Sequence, residues 1–363
     1  MVKTYEIIDA DSHVIEPLDL WEKYLEPEFK HFAPKEDYKF EGEPILYKFN
    51  PSDFVESEAA KRAQEDPDIY KGGYDPKARV ELMEQMGSDV TFLYPTIGLW
   101  LWSVDKMDSK LAGAFVRSYN NWLHDFCNYA PQKLKGIGAI NQHDPEEMVP
   151  ELQRIVEFGW KAVFIRPNPV KGRILSDPVY EPFWSECERL NVAVTVHEGT
   201  HSRLPTTGAD RFDSRFALHA CSHPMEQMMG MLALIEGGVL ERHPQLRVGF
   251  FESGCGWLPY WLWRLDEEYE NLYYEVKDNV KMKPSEYFHR QCYIGFEVDE
   301  PYLPQLIEYI GADKLLFGSD FPHMDHPNFI ESVDEALALR EKLPEDVIKK
   351  ILHDNPLRYY GLT

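Results

Sequence analysis

Short runs of apolar, often β-branched residues recur along the chain and predict a repeating architecture. Each run is seven or eight residues long and shows little alternation of apolar and polar positions. This pattern is typical of strands that are buried on both faces of a parallel sheet. The eight predicted strands cover residues 5–11, 89–96, 134–141, 161–167, 192–198, 246–252, 292–298 and 314–320.

Helical patterns lie between these strands, with apolar residues repeating every three or four positions. The first such segment begins with Asp75, a favourable N-cap, and ends at Gly87. Another begins with acidic residues after Asp144 and closes at Gly159. Eight alternations of strand and helix predict the α/β class and, within it, a (β/α)8 TIM barrel.

Two long insertions interrupt this alternation. Residues 17–75 separate the first strand from its helix, and residues 199–221 separate the fifth strand from its helix. Both follow the carboxyl end of a strand, where barrels build their sites from loops, so we expect 17–75 to be an insertion or lid. No linker, repeat or low-complexity tract divides the chain, which predicts a single domain over residues 1–363.

Composition narrows the kinds of partner. The 62 acidic residues outnumber the 38 basic ones and give a net charge of −24. This argues against nucleic acid and anionic membranes, which need a basic face. No apolar run reaches 18 residues and no signal peptide precedes the first strand, and the five scattered cysteines suit a reducing compartment. We expect a cytoplasmic protein that acts on a small molecule, and a homodimer or higher oligomer because the aromatic segment 257–263 suits an interface.

Metal-binding side chains gather where the predicted strands end. The first strand runs into Asp11 and His13, the fifth into His197 and Glu198, and the eighth into Asp320. Alternate residues of an extended chain point the same way, so these side chains would converge on one axial cavity. Burying such charges is costly unless a divalent cation compensates them. Mixed nitrogen and oxygen ligands favour zinc, with manganese or iron as alternatives.

Other strand ends extend the candidate site. Arg166 ends the fourth strand, Glu252 ends the sixth, and His323 lies three residues beyond Asp320. A guanidinium suits bidentate binding of a substrate carboxylate, but an arginine can equally pin the barrel rim to a neighbouring acid. His323 would either orient Asp320 or contact the substrate.

Four further residues are candidates for substrate binding. Trp100 and Trp102 follow the second strand and would form either an apolar wall for a ring-shaped substrate or a subunit contact. His223 either lines the pocket or belongs to the start of the fifth helix. Glu198, next to His197, completes this group.

Several motifs resemble one family. They are similar to the amidohydrolase-related enzymes, and most of all to the branch of aminocarboxymuconate-semialdehyde decarboxylase and γ-resorcylate decarboxylase. The resemblance implies metal ligands at Asp11, His13, His197 and Asp320, with Asp320 acting on a metal-activated water. The motifs are IDADSHVIEP (8–17), FIRPNP (164–169), TVHEGT (195–200), the stretch 223–261 and LLFGSDFPH (315–323).

Three departures from the family pattern matter. The usual His-x-His of the first strand is Asp11-x-His13 here, and the decarboxylases' histidine near the end of the sixth strand is replaced by Glu252. Binuclear members carry a carbamylated lysine at the end of the fourth strand, where this chain has Arg166. A guanidinium stays protonated and cannot serve in that way, so we expect one metal ion.

Three functions are compatible with these residues. The favoured hypothesis is a metal-dependent hydrolase of a small cyclic or carboxylate-bearing substrate, with Asp320, Glu252 and His197 as catalytic residues. The alternative is a non-oxidative decarboxylase of an aromatic or unsaturated acid, in which Asp320 or Glu252 delivers a proton to carbon. The third is a barrel that only binds a ligand, which the complete set of metal-binding residues disfavours.

Overall fold

The computed structural model describes residues 5–35, 39–40, 43–44, 61–62, 65, 68–199, 202–323 and 329–362. It confirms the (β/α)8 barrel. The middle of the segment 17–75, from residue 36 to residue 67, lies mostly outside the described residues, so the interpretation of the segment as a lid stays a prediction. In chain order the strands are β1 (Ile8–His13), β2 (Lys39–Phe40), β3 (Glu43–Pro44), β4 (Val90–Tyr94), β5 (Leu134–Gly136), β6 (Gly138–Ala139), β7 (Ala162–Ile165), β8 (Ala193–His197), β9 (Val248–Phe251), β10 (Cys292–Phe296) and β11 (Leu315–Phe317).

The barrel consists of parallel strands in the order β1, β4, β5, β6, β7, β8, β9, β10 and β11, and β2 and β3 pair antiparallel outside it. The third predicted strand is split at Ile137 into β5, which pairs with β4, and β6, which pairs with β7. The ring closes where the Asp320 amide donates to the Asp11 carbonyl oxygen at 3.0 Å. Closure brings the end of the last strand against the end of the first.

Helices connect the strands and cover the barrel. Their caps follow the predicted pattern, since Asp75 accepts hydrogen bonds from the next turn and Gly87 adopts a left-handed φ of 82°. The helices are α1 (Leu18–Tyr24), α2 (Pro76–Met86), α3 (Gly98–Leu101), α4 (Ser109–Cys127), α5 (Pro145–Glu157), α6 (Glu181–Arg189), α7 (Arg215–Glu236), α8 (Val239–Arg242), α9 (Leu258–Val276), α10 (Pro284–Gln291), α11 (Leu303–Ile310), α12 (Ser332–Ala338), α13 (Glu345–Lys349) and α14 (Asn355–Tyr359).

The insertion after the fifth barrel strand is shorter than predicted. Helix α7 begins at Arg215, where Ser214 caps it, and continues through Pro224. The prediction that the insertion extends to residue 221 was therefore wrong. A proline inside a helix removes one backbone hydrogen bond, and here the remaining helix contacts outweigh that loss.

A chain of hydroxyl groups forms the floor of the barrel. The Tyr94 hydroxyl lies 3.0 Å from both the Thr195 and the Tyr360 hydroxyl oxygens, and Thr195 lies 2.9 Å from the Tyr359 hydroxyl. The Tyr360 hydroxyl donates to the Ala10 carbonyl at 2.6 Å. All four side chains are buried, so α14 and the residue after it complete the interior of the barrel.

Within the described residues, no helix is both long enough and apolar enough to cross a membrane.

Gly318 allows β11 to approach β1 closely. A Cβ atom at position 318 would lie 2.5 Å from the Asp11 Cβ. We predict that Gly318→Ala lowers the free energy of unfolding by about 1–3 kcal/mol because one strand end must move. Chemical denaturation measures this. The matched control is Gly295→Ala, whose new Cβ would meet its nearest atom, on Phe251, at an ordinary 3.4 Å. Equal stability of the two variants would contradict the prediction.

Candidate metal centre

Donor atoms from four barrel strands meet at the carboxyl ends of those strands. Two groups have ligand atoms within 4.8 Å of one another, and both contain His13. One group adds Asp11 and His197, and the other adds residues from the ends of β9 and β11. The second group is His13, Glu252, Asp320 and His323.

The distances place these atoms around a common point. His13 Nε2 lies 3.5 Å from Asp11 Oδ1, 3.3 Å from Glu252 Oε2 and 3.3 Å from Asp320 Oδ1. His197 Nε2 lies 3.1 Å from Glu252 Oε2 and 3.6 Å from Asp11 Oδ1. Two imidazoles therefore face three carboxylates across one small space, and the sequence predicted all five of these residues at one candidate site.

Hydrogen bonds fix the tautomers of both imidazoles. His13 Nδ1 lies 2.8 Å from the Pro95 carbonyl oxygen, and His197 Nδ1 lies 2.8 Å from the Glu198 carbonyl oxygen. A carbonyl oxygen only accepts, so each Nδ1 carries the hydrogen and each Nε2 directs a lone pair to the centre. Metal-binding histidines are held in this way.

The donor set fits a divalent cation. The buried atoms of this centre that have no hydrogen-bond partner among the described residues include Asp11 Oδ1, His13 Nε2, His197 Nε2 and Glu252 Oε2. Buried polar atoms without partners are rare because losing water is costly. A divalent ion would compensate all four at once. The sequence prediction of a metal site is therefore supported by the geometry.

The carboxylates dominate the local electrostatics. Burial alone would lower the pKa of His197, but Glu252 and Asp11 raise it to about 10. Burial would raise the pKa of Glu252, but His323 and His197 hold it well below its usual range. Such a cluster stabilises positive charge at its centre, which a metal ion supplies in place of protons.

Two of the acidic residues have an uncommon backbone. Glu252 has φ 51° and Asp320 has φ 52°, in the left-handed region that residues with a Cβ rarely adopt. Neighbouring contacts hold each of them. His223 Nδ1 donates to the Glu252 carbonyl oxygen at 2.7 Å, and the Asp320 amide is bound to Asp11. Residues with this strained backbone cluster at functional sites.

Arg166 is bound by protein groups on every side. Its Nη2 donates to Glu198 Oε1 and to the Gly199 carbonyl oxygen, each at 2.9 Å, and its Nε faces Asn168 Oδ1 at 3.3 Å. Only 2% of the residue is exposed. This geometry is the alternative in which the arginine pins the barrel rim to an acid. Roles for Arg166 and Glu198 on the substrate stay predictions.

His323 orients Asp320. Its Nδ1 lies 2.8 Å from Asp320 Oδ1, and its Nε2 lies 3.1 Å from the Thr96 hydroxyl oxygen. The ring packs on that of His13, with 3.8 Å between ring centroids. Asp320 and His323 therefore form a hydrogen-bonded pair on the edge of the centre, as one of the two sequence alternatives expected.

Trp100 and Trp102 pack in or against the hydrophobic core. Trp102 is buried in the core, with its ring 5.5 Å from that of Tyr119 and 6.2 Å from that of Phe164. Trp100 is partly buried and packs against the same core. Neither lines the cavity described next, so their assignment to substrate stays a prediction without a contact here.

A cavity of about 430 Å³ opens beside the centre. His223 lines it, which is one of the two alternatives given by the sequence, and burial lowers the pKa of this histidine to about 4. The cavity shares Glu252 and Glu297 with a small space that also touches Asp11 and Asp320. Its wall includes residues absent from the sequence-based site: His219, Ser253, Trp257, Glu297, Glu300 and Tyr302.

Two buried charged residues that support the centre also escaped the sequence reading. Glu16 accepts hydrogen bonds from the amides of residues 96, 97 and 98 at 2.9–3.1 Å and holds the loop after β4. Arg79 of α2 donates to the His13 carbonyl oxygen and to Ser12 Oγ. Glu297 could have been recognised from the sequence as a site residue, because it lies at the end of the seventh predicted strand. Arg79 could not, because its sequence position is that of an ordinary residue of an amphipathic helix.

The geometry predicts about one divalent metal ion per chain, measured by elemental analysis of protein made with metal supplied. His13→Ala should lose most of it, because Nε2 contributes to both donor groups. Glu252→Gln should retain it, because Asp11, His13, His197 and Asp320 remain. The control is His353→Ala, whose ring bonds the Glu6 carbonyl before β1 begins. Two ions per chain, or none, would refute the assignment.

Comparisons with known proteins give a consistent picture. A family model described as Amidohydrolase matches residues 8–362. A 2-amino-3-carboxymuconate-6-semialdehyde decarboxylase of Dictyostelium discoideum is 26% identical over 304 residues, which cover 81% of this chain and 79% of the relative. A γ-resorcylate decarboxylase of Polaromonas sp. is 27% identical over 280 residues, which cover 73% and 83%.

Solved structures share the fold. An amidohydrolase of Mycobacterium avium subsp. paratuberculosis superposes with a TM-score of 0.74 at 23% identity and covers 99% of this chain and 100% of its own. A 5-carboxyvanillate decarboxylase of Novosphingobium aromaticivorans, complexed with manganese, reaches 0.74 at 20% identity and covers 99% and 96%. At this identity the likeness concerns the fold alone.

Proposed function

The chain belongs to the amidohydrolase family, and from this membership and its metal-binding cluster we propose that it is a metal-dependent decarboxylase of an aromatic carboxylic acid. The observation that carries the proposal is the cluster of buried nitrogen and oxygen atoms that have no hydrogen-bond partner among the described residues. This cluster lies beside a cavity of about 430 Å³, a volume that can hold one substituted aromatic ring. The curated relatives named above are decarboxylases, so we prefer the decarboxylase alternative to the hydrolase that the sequence favoured.

We propose manganese as the ion. The donor set contains three carboxylates and two imidazoles, and oxygen-rich sites suit Mn²⁺ better than sites dominated by sulfur or nitrogen. The related 5-carboxyvanillate decarboxylase contains manganese. Zinc, the first expectation from the sequence, is the alternative that metal competition would test.

The residues that would hold the ion are Asp11, His13, His197 and Asp320, with Glu252 at the same centre. When bound, a divalent ion would fix the substrate's oxygen atoms and stabilise negative charge on them. Arg166 would position Glu198 and the loop at Gly199, to which its guanidinium donates hydrogen bonds. The walls of the cavity orient the ring.

Asp320 is the proposed proton donor. In the reaction the bond between the ring carbon and the carboxylate breaks, CO₂ leaves, and the electron pair remains on the ring carbon, which takes a proton. Asp320 faces the centre and is hydrogen-bonded to His323, whose other nitrogen contacts Thr96. His323 can therefore return a proton to Asp320 after each turnover.

Hydrolysis is the second candidate, and Glu252 is the observation that favours it. The decarboxylases carry a histidine at this point of the sixth barrel strand. A buried carboxylate 3.1 Å from His197 Nε2 is placed to act as a base toward water. Both candidates use the same centre, so product analysis separates them.

The test is carbon dioxide release. Manganese-loaded protein is incubated with hydroxybenzoates labelled with ¹³C in the carboxyl group, and a parallel panel of lactones and amides reports hydrolysis. We expect labelled CO₂ and the matching phenol in equal amounts, and neither from His197→Ala. Hydrolysis of the parallel panel without CO₂ from any benzoate would overturn the proposal.

Asp320→Asn should lower turnover by at least roughly 10²-fold, because the amide keeps the shape of the side chain but cannot exchange the proton. Substrate affinity should change little. Steady-state kinetics give the turnover and the substrate affinity of the variant, and its metal content is measured in parallel. A variant that retains its metal and near-normal turnover would remove Asp320 from the reaction.

A further inference from the structure

The loop that follows β4 contacts the metal centre at two points. The Pro95 carbonyl oxygen lies 2.8 Å from His13 Nδ1, and the Thr96 hydroxyl oxygen lies 3.1 Å from His323 Nε2. One contact holds a metal-binding imidazole, and the other holds the imidazole that pairs with the proposed proton donor. Residues 95–98 form this loop (the 95–98 loop), which therefore bears on both the metal and the reaction.

The 95–98 loop is anchored by Glu16. Its Oε2 accepts hydrogen bonds from the amides of Thr96 and Ile97 at 3.1 and 2.9 Å, and its Oε1 accepts one from the Gly98 amide at 2.9 Å. Ile97 and Gly98 stand at the start of α3, and amides at the start of a helix have no acceptor within it. A carboxylate from another part of the chain therefore caps α3.

This anchor is built into the barrel rather than lying on its surface. Glu16 is only 1% exposed. It belongs to an extension of β1 that stays beside β4, since the Val14 amide donates to the Tyr94 carbonyl oxygen at 2.9 Å. On the other side, the Trp102 ring lies so close to Gly98 that a Cβ atom there would clash with it. Strand pairing and core packing therefore fix the carboxylate against the three amides.

We infer that Glu16 is a positioning residue that sets metal affinity and turnover through this loop. By way of Pro95 it keeps His13 Nδ1 hydrogen-bonded, so that Nε2 stays directed at the centre. By way of Thr96 it keeps the ring of His323 in place. The turnover part of the inference rests on the proposed function, whereas the metal part rests on the metal centre alone.

Glu16→Gln tests the metal part. Glutamine has one acceptor oxygen and an NH₂ group that would face at least one backbone N–H, so the loop loses at least one of its three bonds. We expect affinity for manganese alone to fall about three- to tenfold, because His13 is held less firmly. Protein freed of metal is titrated with Mn²⁺, and the EPR signal of the free ion gives the dissociation constant. Thr96→Val leaves the Pro95 contact and the backbone amides in place and should keep the wild-type affinity.

A double-mutant cycle tests the turnover part. At saturating manganese, Glu16→Gln and Thr96→Val should each lower the release of labelled CO₂ at least about tenfold, because each weakens the hold on His323. If Glu16 acts through Thr96, the double variant should lose at most about threefold more than the more impaired single variant. Thr96→Ser keeps the hydroxyl group and should retain near-normal turnover.

The matched control is Glu188→Gln. Glu188, on α6, also accepts a backbone hydrogen bond, from the Gln245 amide at 2.7 Å, but none of its contacts in the described part of the chain involves the metal centre. This variant should keep both manganese affinity and turnover. Thermal unfolding followed by circular dichroism checks that every variant folds, and Glu16→Asp replaces Glu16→Gln if the latter does not. If neither folds, Glu16 has only a structural role and the inference fails.

Two results overturn the inference directly: wild-type manganese affinity in Glu16→Gln, and losses of turnover that multiply in the double variant. Two further results separate it from the proposed function. If Glu16→Gln weakens manganese binding but no benzoate releases CO₂, the proposed function is wrong and the metal part of the inference stands. If benzoates release CO₂ but Glu16→Gln binds manganese and turns over as the wild type does, only this inference is wrong.

Discussion

The structure depends on how it accommodates the charges of three carboxylates and two imidazoles that meet in one buried space. Asp11, Glu252 and Asp320 each approach His13 Nε2 within 3.5 Å. Mutual repulsion among buried carboxylates would separate them unless a positive charge lay between them. The barrel closes around this cluster, and the loops that surround it are held by further buried ion pairs and hydrogen bonds.

The carboxyl ends of the barrel strands bring the charged side chains together, and an uncommon backbone conformation orients two of the carboxylates toward the centre. Glu252 directly follows β9, Asp320 lies three residues beyond the end of β11, and both adopt a left-handed φ. Side chains outside the centre then hold the backbone of two of its residues. Arg79 binds the backbone of His13, and His223 binds that of Glu252. Preorganisation of this kind lets the site keep its geometry while charges are exchanged during a reaction.

Much of the fold follows from the sequence because its signals are local. Each barrel strand is a continuous apolar run, and Asp75, Asp144 and Gly87 mark helix ends through side-chain or backbone geometry that a sequence displays. The split of the third strand at Ile137 is not visible in this way, because it depends on which neighbour pairs with each half.

The same distinction holds for the site. Asp11, His13, His197, Glu252 and Asp320 could be predicted, since barrel topology alone brings strand ends together. The partner of Arg166 could not, because a guanidinium suits a substrate carboxylate and Glu198 equally well. Glu300 escaped for a similar reason, since only the packed loops show that it joins residues 255 and 297.

The chain of hydroxyl groups at the floor of the barrel has a consequence for biosynthesis. Tyr94 lies beneath both metal-binding imidazoles, with its ring 5.7 Å from that of His13 and 5.2 Å from that of His197. It is held there by Tyr360, which follows every barrel strand in the chain. During translation the early strands can therefore pair before Tyr360 has been synthesised and can hold Tyr94 under the two imidazoles. Acquisition of the metal would then be a late event, after translation has passed residue 360.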